Sequence, residues 1–208
     1  MLFRLKTTLE RQMVLLAACA LVAFLMSFIV DYSPRLRLSP ELLLKGSIGG
    51  VLICGVSALL TLSAVFVFPD RFRREYDLER SALVNLNGFG ILGAAITAGA
   101  GEELLFRGFL FTALSKLSGP FAYITHYIFV TACYVHRRAL YLTPCIRGIE
   151  CSLYAAMFSY NRSLAMLAVA HGIVQAATFI SYKLGWIDHV FDFRKRFLAT
   201  SILRREAR

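Results

Sequence analysis

The stretch ALVNLNGFGILGAAITAGAGEELLFRGFLFTALSKL, residues 82–117, carries no charge before Glu102 and then sets Glu102, Glu103 and Arg107 inside an otherwise apolar run. Charged side chains are costly in the bilayer core. Where they occur they pair with one another, face the protein interior and mark a functional site. The stretch therefore reads as a membrane segment that carries chemistry.

The surroundings support a membrane reading. Of 208 residues, 58% are hydrophobic, the mean hydropathy is +0.63, and the apolar residues come in blocks. Residues 13–30, 46–68, 121–135, 140–158 and 164–182 form further blocks, the fourth carrying Arg147 and Glu150 near its start. Most approach the roughly 20 residues that a spanning helix needs. With 82–117 taken as one broken or tilted pass, the expectation is an all-α, polytopic helical membrane protein of about six transmembrane passes. Basic residues precede the first block, but Phe28-Ile29-Val30-Asp31 lacks the small residues of a signal-peptide cleavage site, so the block reads as a retained helix. No repeat or long linker divides the chain, which reads as a single integral membrane domain over 1–208 with a basic tail at 183–208.

Charge sets the expected orientation. Arg4, Lys6, Arg11, Arg71, Arg73, Arg74, Arg80, Arg137, Arg138, Arg147 and the cations of the tail fall on one side, against Arg35, Arg37, Lys45, Lys116 and Arg162 on the other. The asymmetry places both termini in the cytoplasm. It also accounts for the net charge of +10 without nucleic acid, since the cations flank apolar spans and no stacking platform lies between them. The tail, with Phe191, Phe193, Phe197, Ile202 and Leu203 among its cations, is expected to lie on the anionic inner leaflet. The five cysteines sit in or beside apolar blocks without a CxxC pair and read as packing residues.

On a helix, Glu103 and Arg107 share a face and can form an ion pair, whereas Glu102 points about 100° away and stays available as an acid or base. His136 ends the 121–135 block, and His171 lies in the last block with Gln175 one turn later. A histidine and an amide on one helix face can present two donors to one point, as an oxyanion site requires. His126 and His189 find no partner in the sequence; His126 reads as structural.

The run EELLFRG, residues 102–108, resembles the first signature of the CAAX protease and bacteriocin-processing family of intramembrane proteases, also called CPBP or Abi, in which arginine follows two glutamates. His136 matches the histidine of the second signature, with Ala132 where phenylalanine is usual. His171 matches the third, with Gln175 where asparagine is usual. The resemblance covers a protease-like core at about 87–182. It implies an endopeptidase that hydrolyses peptide bonds of membrane-associated or lipid-modified tails with a glutamate-activated water, without metal or other cofactor. Glu102 would be the general base, His136 its helper, His171 and Gln175 the oxyanion donors, with Glu103 and Arg107 in support. The implied partners are a protein or peptide with a membrane-associated tail and the bilayer itself, and the expected setting is a prokaryotic inner membrane. Three other readings use the same residues. The first is a non-catalytic immunity or scaffold protein. The second is a zinc-dependent membrane protease, although HExxH is absent. The third is a transporter with a proton or ion relay, although paired half-sequences are absent.

Overall fold

The computed structural model describes Leu21, residues 39–134 and residues 141–206, and among these the regular elements are all helical. The expected first pass at 13–30 and His136 lie outside the described residues. The order is α1 (Pro40–Val67), α2 (Pro69–Leu83), α3 (Gly88–Glu103), a π-helical segment (Leu104–Phe111), α4 (Thr112–Ser118), a 3₁₀ turn (Gly119–Phe121), α5 (Ala122–Tyr134), α6 (Leu142–Asn161), α7 (Leu164–Leu184) and α8 (Trp186–Glu206).

Capping chemistry fixes several starts. Ser39 accepts from the Leu42 amide ahead of Pro40, Asn87 from the Gly90 amide, and Ser163 from the Met166 amide. Each hydroxyl or amide oxygen fills one of the orphan donors of a first helical turn. Arg162 closes α6 and Gly185 closes α7, both in the left-handed conformation.

Helix α7 is the central strut, packed between α1 and α3. Small residues let the backbones approach. A Cβ on Gly50 of α1 would lie 2.9 Å from the Ala170 carbonyl oxygen, and one on Gly99 of α3 would lie 2.9 Å from the Gly172 amide nitrogen. Close approach of this kind is how helices gain packing energy where lipid supplies no hydrophobic drive. The outer face of α1 stays apolar, with Leu44, Val51, Leu52 and Leu59 exposed, as a lipid-facing surface would be.

Three helical stretches are long and apolar enough to cross a membrane: Pro40–Val67, Gly88–Ala132 and Leu164–Leu184. The expected six passes are therefore not all recovered among the described residues. The 140–158 block forms α6, whose Arg147 pairs with Glu150 at 2.9 Å. The 121–135 block forms the end of Gly88–Ala132, a stretch of 45 residues, longer than the bilayer core requires. That stretch doubles back at Gly119, where φ is 52°. Phe111 then meets Tyr123 at a centroid distance of 5.1 Å, and Phe106 meets His126 at 6.4 Å.

Helix α2 is amphipathic and charged, and it locks the ends of other helices. Its Glu75 accepts from the amides of Tyr141, Leu142 and Thr143 at the start of α6. Arg73 and Arg80 reach Asp188 of α8 at 2.8 and 2.6 Å. The tail helix departs from expectation at Phe191, which is buried in a cluster with Phe72 and Tyr76 instead of facing lipid. Phe193 and Phe197 are exposed and stack on each other.

Candidate active site

The site forms where α3 runs into the π-helical segment. A π turn widens the helix and leaves part of its ladder irregular, a feature concentrated at functional sites. Here Thr112 donates from its hydroxyl to the Arg107 carbonyl, five residues back, at 2.8 Å. Glu102 and Glu103 are the last residues of α3, and Arg107 lies within the π segment. All three are buried.

Arg107 donates to Glu103 Oε1 at 2.9 Å and to the Cys151 carbonyl of α6 at 2.8 Å. The expected pair is thus formed, with no side-chain exposure at Arg107 and 1% at Glu103. A buried pair needs further hydrogen bonds to offset the loss of water, and Glu103 finds one across the bundle. Its Oε1 also lies 2.8 Å from His171 Nδ1 on α7. A carboxylate only accepts, so Nδ1 carries the hydrogen. His171 Nε2 faces two groups, the Gln175 amide nitrogen at 3.0 Å and Glu102 Oε2 at 3.5 Å. Glu102, expected to stand apart from the ion pair, is therefore set beside the imidazole.

The π segment and α7 thus bring five of the six sequence-derived site residues together: Glu102, Glu103, Arg107, His171 and Gln175. A carboxylate set beside an imidazole, shielded from bulk water, is the equipment of general acid–base chemistry. Several polar atoms here have no hydrogen-bond partner among the described residues: Glu103 Oε2, Arg107 Nε, Gln175 Oε1 and Tyr154 Oη. Buried polar groups are normally satisfied, so the cluster is built to receive another polar group.

Two residues were missed in the sequence. Tyr154 stacks on His171 with centroids 4.8 Å apart and planes 21° apart, and the Arg107 guanidinium lies 5.1 Å from its ring centre. The backbone of Cys151 supplies the acceptor for Arg107. Both lie on α6, Cys151 next to the charged Glu150 and Tyr154 one turn beyond it, and that spacing was the signal available. His126 is buried edge-on between Phe106 and Phe111, and His189 is exposed on α8.

A cavity of about 330 Å³ is walled mainly by apolar residues such as Ala58, Leu62, Ile146, Val174 and Trp186. None of the clustered residues lines it, but on α7 it reaches Val174, the residue before Gln175, and Thr178. Ser57 and Arg147 both donate to Glu150 in its wall.

The buried Glu–Arg–His cluster thus lies among helices long and apolar enough to cross a membrane. In the comparison with known families, residues 85–177 are similar to the family described as Type II CAAX prenyl endopeptidase Rce1-like. The match spans all the sequence-derived site residues, including His136. No curated protein matches the chain, and no solved structure does.

Proposed function

We propose that this protein is an intramembrane endopeptidase that cleaves membrane-associated or lipid-modified peptide tails with a glutamate-activated water. The observation that carries this reading is the division of labour between the two carboxylates. Glu103 is committed to Arg107 and His171 Nδ1, while Glu102 faces His171 Nε2 at 3.5 Å, with its side chain 4% exposed.

In this reading Glu102 takes a proton from water as the water oxygen attacks the scissile carbonyl carbon, and His136 assists. The tetrahedral oxyanion is met by the Gln175 amide and, where His171 enters the step already carrying a proton on each ring nitrogen, by its Nε2–H as well. Glu102 then returns its proton to the leaving amine as the C–N bond breaks. No bond forms between enzyme and substrate. Glu103, Arg107 and the Cys151 carbonyl hold the imidazole in orientation.

The apolar cavity would take the hydrophobic part of the tail, beside the α7 turn that carries Gln175. The family description names prenyl endopeptidases, and a prenylated or membrane-inserted C-terminal segment suits such a wall. We place the protein in a prokaryotic inner membrane with both termini cytoplasmic, on the distribution of its cations, and count the blocks at 13–30 and 140–158 among about six passes.

Glu102→Gln keeps shape and hydrogen bonding but removes basicity. Purified Glu102→Gln protein should show no cleavage of a farnesylated or membrane-anchored peptide that the wild type cuts, at equal abundance in the membrane. Cleavage at the wild-type rate would remove Glu102 as the base.

A further inference from the structure

With His171 neutral, the site is short of one donor. Glu103 Oε1 accepts from His171 Nδ1, so the neutral imidazole has a lone pair, not a hydrogen, at Nε2. The Gln175 amide nitrogen lies 3.0 Å from that lone pair and spends one of its two hydrogens there. In its resting form the pair offers a reacting carbonyl oxygen a single amide hydrogen, where oxyanion sites set two or more donors.

Tyr154 packs against two residues of the site. It is fully buried, its ring stacks on His171 at 4.8 Å, and the Arg107 guanidinium lies 5.1 Å from its ring centre. Its hydroxyl has no hydrogen-bond partner among the described residues. A buried tyrosine hydroxyl ordinarily finds one, and leaving it without one costs stability that a phenylalanine would not lose. Contacts with two site residues on other helices hold the ring, so the hydroxyl is preorganised.

Resting on the protease reading above, the geometry points to Tyr154 as a further catalytic residue, whose phenol hydroxyl donates a hydrogen bond to the substrate's scissile carbonyl oxygen and holds it as the oxyanion forms. The phenol keeps its proton throughout and makes no covalent bond. The ligand it recognises is the peptide carbonyl itself, so the contribution is independent of the side chains or lipid that the substrate carries.

Tyr154→Phe removes the hydroxyl and keeps the ring against His171 and Arg107. Turnover of a membrane-anchored peptide should fall by about a hundredfold with the Michaelis constant nearly unchanged, while the melting temperature in detergent stays level or rises because an unsatisfied group has gone. Wild-type turnover in Tyr154→Phe overturns the inference. So does a fall in melting temperature alongside turnover, which would show that the hydroxyl serves the fold. Cleavage by wild type that Glu102→Gln abolishes tests the protease reading separately. Should wild type cut nothing, binding of a membrane-anchored peptide aldehyde, whose hydrate carries a tetrahedral carbon, decides between the outcomes. Weaker binding by Tyr154→Phe than by wild type supports the donor, and equal or absent binding in both overturns it.

Discussion

Glu75 and Glu103 are both shut away from solvent, with side-chain exposures of 0% and 1%, yet they are employed in opposite ways. Both oxygens of Glu75 are filled, Oε1 by the amides of Tyr141 and Leu142 and Oε2 by that of Thr143. On Glu103 one oxygen takes both Arg107 at 2.9 Å and His171 at 2.8 Å, while Oε2 has no hydrogen-bond partner among the described residues. A fully satisfied carboxylate can only hold what it holds. A cluster with vacant acceptors and donors has interactions left to make, which is the physical difference between an anchor and a working site.

The comparison is broken most severely at Arg107. Its removal leaves Glu103 as an uncompensated buried charge, at a cost of about 3–5 kcal/mol. Arg107→Ala should therefore lower folded yield and melting temperature in detergent. Glu103→Gln combined with Arg107→Met should recover part of the stability but none of the activity, because His171 loses its charged acceptor. Normal melting of Arg107→Ala would mean that the pair does not hold the site together.

Gln175 tests the vacant side of the comparison. If its amide serves the oxyanion, Gln175→Ala should lower turnover by about a hundred- to a thousandfold, or roughly 2.7–4 kcal/mol, at a nearly constant Michaelis constant where chemistry is slow. Gln175→Asn should retain measurable activity through the shorter amide. Gln175→Glu sets negative charge where negative charge develops and should be as damaging as alanine. Equal turnover in all of these would reduce Gln175 to a packing residue and favour a mechanism in which it does not meet the oxyanion.

The sequence revealed contacts that follow helical periodicity. Glu103 with Arg107 and His171 with Gln175 are each four residues apart, and both contacts are present. The long apolar blocks likewise announced helices. Contacts between distant segments were hidden, because periodicity within one helix says nothing of which helix it meets. Glu103 reaches His171 across 68 positions, and Tyr154 looks in sequence like any aromatic of an apolar helix. The π segment was hidden as well, since Leu-Leu-Phe-Arg-Gly-Phe-Leu-Phe suits an α-helix equally. Phe191 was misplaced because a phenylalanine among cations fits a membrane surface as readily as the pocket that Phe72 and Tyr76 make. Nothing in the charged run of α2 distinguished Glu75 from Asp77 or Glu79; only the start of α6 does so.

That start also gives the smallest expected effect and the sharpest contrast with the site. The first four amides of a helix lack intrahelical acceptors. At α6, Glu75 takes those of Tyr141, Leu142 and Thr143, Pro144 has no N–H to satisfy, and the Cys145 amide already donates to the Tyr141 carbonyl. The accounting is complete, and the carboxylate's charge also opposes the positive end of the helix dipole. Glu75→Gln keeps one acceptor oxygen but removes that charge and turns one arm into a donor facing amides. A loss of about 1–2 kcal/mol is expected, read as a lower melting temperature in detergent. Turnover per folded molecule should stay near wild type, because Glu75 touches neither Glu102 nor His171. A large drop in turnover at unchanged melting temperature would show that α2 takes part in the chemistry, and the division between anchor and working site would then fail.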